Sequence, residues 1–163
     1  MEDIKRDGVK FGNELLFQFV GEKARNVKLG HGSFVTIDFG RDTTVEVRTR
    51  KGVSWSVRGE WHLWVYMCAW RIDQNQKPFV GSNDTQELIR EKLREMQGKA
   101  LISATILNDA FDAKFSFSDG FELHLFSYQV TDHEQWMLFV PERKTFIAGP
   151  GTEWSYISSG DTE

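Results

Sequence analysis

The chain has a single cysteine, Cys68, among 163 residues. No disulfide can form within it, and a reducing compartment suits it, so the cytoplasm is its expected location. Long apolar runs are missing too: Leu63–Trp70 falls far short of the roughly 20 residues that a membrane-crossing helix needs. The opening stretch MEDIKRDGVKFGNELLF carries acids and lacks the apolar core and small-residue cleavage site of a secretion signal. There is no excess of basic charge. A net charge of −4 and a pI near 5.6 argue against a general nucleic-acid binder, which needs a basic face to displace phosphate counterions.

The usual marks of catalysis and metal binding are also absent. No Cys-x-x-Cys or His-Glu-x-x-His occurs, and no phosphate-cradling Gly-x-Gly-x-x-Gly or Walker loop. Gly30-His31-Gly32-Ser33 puts a histidine near a serine but lacks the Gly-x-Ser-x-Gly elbow, and a glycine turn accounts for it. His124 alternates with Glu122 on the expected solvent face of its strand, and Asp132-His133-Glu134 reads as a solvated turn. Asp38, Asp42, Asp109, Asp112 and Asp119 fall at turns or outward strand positions, where acids serve solubility and turn chemistry. Cys68, inside an apolar stretch, reads as an inert small hydrophobe. We expect no catalytic residue, no metal and no cofactor.

What the chain has in abundance is aromatic residues, at 13%, within a soluble balance of 40% hydrophobic and 27% charged residues. The densest stretch is GEWHLWVYMCAWRI at Gly59–Ile72, and a weaker copy, EQWMLFV, returns at Glu134–Val140. Ser33–Phe39 alternates, with Val35, Ile37 and Phe39 on one side. A turn is expected at Gly40-Arg41-Asp42, a second strand over Thr43–Arg50, another turn at Lys51-Gly52 and a short edge strand over Val53–Arg58. The Trp-rich strand follows as Trp61–Trp70, and Lys77–Asn83 reads as a linker.

Residues 1–12 read as a polar lead-in. Asn13 is placed to cap a helix over Glu14–Val20, although the same segment also alternates like a strand. Asp84 with Glu87 forms a capping box opening a helix over Thr85–Gln97 that Gly98 ends. Strands are expected thereafter at Ala100–Leu107, Ala113–Phe117, Phe121–Tyr128, Trp136–Val140, Lys144–Ile147 and Trp154–Ile157, with a frayed end beyond.

The two halves match in order. Val20–Val27 answers Gln97–Ala104, Ile37–Asp42 answers Phe115–Gly120, Val45–Val47 answers Leu123–Leu125, and Trp61, Leu63 and Val65 answer Trp136, Leu138 and Val140. The expectation is one α+β domain spanning 1–163, mostly antiparallel, with about ten strands and one or two helices. It is built as two similar tandem halves at 13–80 and 84–157. The duplication favours helix for Glu14–Val20, because its counterpart is the capped helix.

The GEWHLW and EQWMLF strands, the Phe117–Leu123 turn and the closing Gly151-Thr152-Glu153-Trp154 resemble those of small uncharacterised bacterial proteins, some encoded beside toxin genes as candidate immunity proteins. The resemblance implies a protein partner and brings no catalytic residue with it.

On Trp61–Trp70, Trp61, Leu63, Val65 and Met67 share one face, while His62, Trp64, Tyr66 and Cys68 share the other. A strand with one wet side would be polar there. Three covers fit: the protein's own helices, a homodimer seam or other protein partner, or an apolar ligand. Arg48, Arg50, Lys51 and Arg58 gather near Trp55, where they suit an acidic partner or single-stranded nucleic acid, or simply a charged edge that resists aggregation. The leading expectation is a non-enzymatic protein that binds another protein, possibly a toxin, or itself as a homodimer, with no role for nucleic acid or membrane. The rival is a small-molecule binder, or an enzyme derived from one, with an aromatic pocket near His62, Trp64 and Tyr66. Trp55, His62, Trp64 and Tyr66 are the candidate binding residues.

Overall fold

The computed structural model describes residues 7–159; the first half of the expected lead-in and the end of the expected frayed tail lie outside them. Helix α1 runs Gly8–Phe17. It starts earlier than expected because Asp7, not Asn13, is its cap: the Asp7 carboxylate accepts from the backbone N–H of Val9 and Lys10 at 3.1 and 3.2 Å. Gly8, Gly12, Leu15 and Leu16 form its buried face, at helical spacing. There follow β1 (Arg25–Leu29), β2 (Val35–Thr49), β3 (Gly52–Val65), β4 (Ala69–Gln74) and β5 (Lys77–Gly81). Helix α2 is Gln86–Leu93, continued by a 3₁₀ turn over Arg94–Met96. Its cap is Thr85, whose hydroxyl accepts from Leu88 N at 3.3 Å, while Asp84 turns back to Gly81 N instead. The rest is β6 (Leu101–Ile106), β7 (Ala113–Phe117), β8 (Phe121–Phe126), β9 (Trp136–Val140), β10 (Lys144–Ala148) and β11 (Trp154–Ser158). Neither helix is long and apolar enough to cross a membrane.

Three expectations about strands give way. Gly40-Arg41-Asp42 is not a hairpin end but a bulge within β2, where the register shifts between Phe39 and Asp42. The strands expected at Ser33–Phe39 and Thr43–Arg50 are therefore one strand, β2, and Val53–Arg58 runs on into the Trp-rich segment as β3, the two forming one long hairpin. The Trp-rich stretch is not one strand either: it breaks after Val65 and resumes at Ala69 in the other sheet. The expected linker at Lys77–Asn83 holds β5, entered by a tight turn with Asn75 and Gln76 both at positive φ.

The eleven strands form two antiparallel sheets, ordered β1-β2-β3-β9-β10-β11 and β5-β4-β8-β7-β6. Each half contributes three consecutive strands to one sheet and sends the rest into the other: β4 and β5 from the first half, β9, β10 and β11 from the second. Thus β9 pairs with β3, and β4 pairs with β8. Apolar inner faces meet between the sheets: Ile37, Phe39, Leu63 and Leu138 from one, Ile72, Phe115, Leu123 and Leu125 from the other, all buried. Phe39 and Phe117, equivalent positions of the two halves, lie stacked with ring centroids 6.3 Å apart, worth about 0.5–1.5 kcal/mol beyond their area.

The helices pack across the halves, α1 on β6 and α2 on β1. Each half also blunts the other's first strand with a side-chain amide. Asn13 accepts from Ile106 N at 2.7 Å and donates to Ile106 O at 3.4 Å, and Gln97 accepts from Val27 N at 3.2 Å and donates to Val27 O at 2.9 Å. Both strands are sheet edges, which this pairing protects. Between the halves, Lys23 and Ala100 form an isolated antiparallel bridge. The hydrogen bonds around it come in matched pairs: Gly21 N to Leu101 O with Gly98 N to Ala24 O, and Leu101 N to Glu22 O with Ala24 N to Lys99 O. Exchanging the halves maps each bond onto its mate, so an approximate two-fold axis runs through this bridge.

The match of Val20–Val27 with Gln97–Ala104, and of Ile37 with Phe115, agrees with this axis. The other two matches do not. Leu123 and Leu125 occupy the places of Leu63 and Val65, not of Val45 and Val47, and β9 is the counterpart of β4 rather than of β3. The cause is the length of β2 and β3, which run on past the bulge where the second half has only Ser118-Asp119-Gly120.

Candidate functional site

That extra length makes an arm. Gly40 takes φ +80° at the bulge, and Gly59 faces it so closely that a Cβ would sit 2.7 Å from the Phe39 carbonyl oxygen. Arg25 fixes the bend, with Nη1 2.7 Å from Asp42 Oδ1 and Nη2 donating to the Gly40 carbonyl. Beyond it, Thr43–Arg58 form a two-stranded ribbon turning at Arg50-Lys51. Cross-strand partners share a face, so Val53, Trp55 and Val57 line up beside Arg48, Glu46 and Thr44. Trp55 is 65% exposed, Val57 62% and Val53 57%. A lone hairpin is marginally stable in water. This one shows an apolar stripe to solvent, a pattern typical of interaction surfaces.

The foot of the arm is polar and ordered. Asp38 is buried, and loss of water alone would raise its pKa; hydrogen bonds from His62 Nδ1 at 2.5 Å and Asn26 Nδ2 at 2.8 Å outweigh that and hold the carboxyl below its ordinary value. Arg58 sits 4.2 Å over the Phe139 ring, and His62 packs on the same ring at 5.7 Å. Burial pushes the Arg58 guanidinium down, and the Asp38 charge opposes this. Asp38 orients His62 as a carboxylate does in a catalytic dyad. Among the described residues, no serine, threonine or cysteine hydrogen-bonds the ring, and its partner is Asp38. Cys68 lies in the turn between β3 and β4, and burial, then the Asp112 charge, pushes its thiol up to about 12. Such a thiol is inert at neutral pH.

Of the four candidate binding residues, Trp64 and Tyr66 come together at 5.0 Å, joined by Phe34 at 6.3 and 4.8 Å. They form a half-buried aromatic cluster on the outer face of the six-stranded sheet. His62 lies on the same face but is engaged with Asp38. Trp55 is not brought to them: seven residues along β3 from His62, it is about 23 Å away. Two surface clefts occur elsewhere, of about 480 and 260 Å³. The first lies by Gly8, Phe111 and Trp154, the second by Arg71, Phe79 and Asn83, and neither touches His62, Trp64 or Tyr66.

His124 departs from its expected exposure. It is half-buried on the outer face of the five-stranded sheet, between Glu122 and Asp73. Asp73 comes from the other half of the chain through the β4–β8 pairing, a neighbour that spacing along the sequence does not reveal. No family model, curated protein or solved structure matches the chain.

Proposed function

We propose that this protein is a non-enzymatic binding protein that engages another protein through the β2–β3 arm and acts by occluding its partner's surface. The observation that supports this is the exposed Val53-Trp55-Val57 stripe on a ribbon that only one half of the duplicated plan possesses. Exposed tryptophans with flanking arginines are the side chains that dominate protein interfaces. The arm carries Arg48, Arg50, Lys51 and Arg58 against Glu46 alone, a basic prong on a chain of net charge −4. The partner it suits presents an acidic surface with an apolar groove. The resemblance to candidate immunity proteins makes a toxin the partner to try first. Native mass spectrometry of the protein isolated from its source cells, beside a Trp55→Ala variant, tests the reading. The expected result is a polypeptide retained by the parent chain and released by the variant. A retained small molecule, or a polypeptide held equally by both, overturns it, and a dimer dissolved by Trp55→Ala makes the partner a second copy.

A further inference from the structure

The geometry points to a second site, on the opposite sheet: a divalent transition-metal site made by Asp73, Glu122 and His124. Asp73 lies on β4 of the first half, and Glu122 and His124 lie on β8 of the second. Asp73 faces Glu122 directly in the strand register, and His124 sits diagonally beside Asp73. One ligand atom from each of the three falls within 4.8 Å of the others. This spacing suits a common ion with carboxylate and imidazole bonds near 2 Å.

Two features separate this cluster from a chance group of surface charges. First, each carboxylate is held by a cation and turns one oxygen to the histidine. Asp73 Oδ1 lies 2.7 Å from Arg71 Nε, and Oδ2 lies 3.2 Å from His124 Nε2 as well as 3.1 Å from Arg71 Nη2. Glu122 Oε1 lies 3.4 Å from Lys114 Nζ, and Oε2 lies 3.4 Å from His124 Nε2. Such outer partners orient metal-binding carboxylates. Second, the His124 Nε2 atom is buried between two acceptors, 3.2 Å from Asp73 Oδ2 and 3.4 Å from Glu122 Oε2, with no well-directed hydrogen bond to either. An imidazolium holding the two acids by hydrogen bonds would aim its N–H at one of them. A neutral imidazole whose lone pair meets an ion satisfies all three groups at once. The ring is held in plane by Phe126, stacked at 6.1 Å and 11°.

An imidazole with two carboxylates selects a borderline ion such as zinc or iron(II) over calcium or magnesium, which take oxygen ligands. The site joins β4, which the first half sends across, to β8 of the second half, so the ion acts as a clamp across the β4–β8 seam.

The test is titration of the full chain, freed of metal by chelation, with Zn²⁺ in a calorimeter, with Co²⁺ absorption as a spectroscopic check of nitrogen and oxygen ligation. We expect one ion per chain and a rise in melting temperature with zinc. Both effects weaken about 10-fold or more in Glu122→Gln and in His124→Ala, and neither changes in His133→Ala. Glu122→Gln keeps the shape of the site, so it serves as the measurement should His124→Ala fail to fold. Absence of zinc binding by the parent chain overturns the assignment, as does binding that survives Glu122→Gln but is lost in His31→Ala, His62→Ala or His133→Ala.

Discussion

Trp70 and Trp136 make the same hydrogen bond in the two halves of the molecule. The Trp70 indole donates to the carbonyl of Ser33 at 2.8 Å, and the Trp136 indole donates to the carbonyl of Phe111 at 2.9 Å. Ser33 lies two residues before β2, and Phe111 two residues before β7. In the sheets, Trp70 stands opposite Leu125 and Trp136 opposite Val65, which are themselves equivalent. Each tryptophan thus ties a strand that has crossed between sheets to the loop entering its own half's second strand.

Trp70→Phe and Trp136→Phe should therefore cost similar amounts. Each leaves a carbonyl without its partner and a gap beside a buried ring, about 1–3 kcal/mol. Urea unfolding of the two variants checks this; a cost at one site and none at the other would mean that the bonds are not equivalent.

The sequence shows a duplication but hides how the halves combine. Alternation in Ile37–Phe39 and Phe115–Phe117 exposes the matched strands, because their apolar side chains recur at a period of two on the inner face. The crossing between sheets at Tyr66–Cys68 leaves no such mark: Trp64, Tyr66 and Cys68 continue the apolar run, and a buried crossing looks like a buried strand. The arm misleads in the other direction. Gly40-Arg41-Asp42 has turn composition, yet Gly40 serves a bulge. The Glu122–His124 face was legible as polar. Its partner Asp73 was not, since that contact depends on which strand of the first half the second half receives.

Gly59 sets the junction between body and arm. A methyl group there would meet the backbone of Phe39 at 2.7 and 2.9 Å and Asp38 Cβ at 2.9 Å, none of which can rotate away. Gly59→Ala should destabilise the protein by about 1–3 kcal/mol, the usual cost of overpacking, and should disturb the His62 ring through Asp38. Thermal unfolding and the His62 ring proton resonances report the two effects. An unchanged melting temperature would show that the bulge is loose.

Asp38 gives the fold an acid-sensitive contribution. Its folded pKa lies below the ordinary 3.8. The stability it supplies is therefore complete above that value and is lost as the pH falls through the folded value. Asp38→Asn should be less stable than the parent by about 1.5–3 kcal/mol at pH 7, the range for a hydrogen bond to a charged group. The gap should narrow below about pH 4. Unfolding midpoints in urea at pH 7 and pH 3 decide it, and a gap that widens on acidification would contradict the assigned direction.

The arm should be separable from the body. Its residues from Thr43 to Arg58 are mostly exposed, and the second half manages the same connection with Ser118-Asp119-Gly120. Trypsin should cut first at Arg48, Arg50 or Lys51, where the ribbon ends in an exposed turn. Replacing residues 41–59 with a three-residue turn should leave the sandwich folded, because loop length enters stability only logarithmically and Gly59 is the one buried residue removed. Trp55→Ala should change stability by less than about 0.5 kcal/mol, as expected of an exposed side chain. Limited proteolysis followed by mass spectrometry locates the first cut, and circular dichroism of the shortened chain follows its unfolding. First cleavage within the sandwich, or a shortened chain that no longer unfolds cooperatively, would mean that the ribbon supports the body. It would then be a structural brace and not a free binding limb.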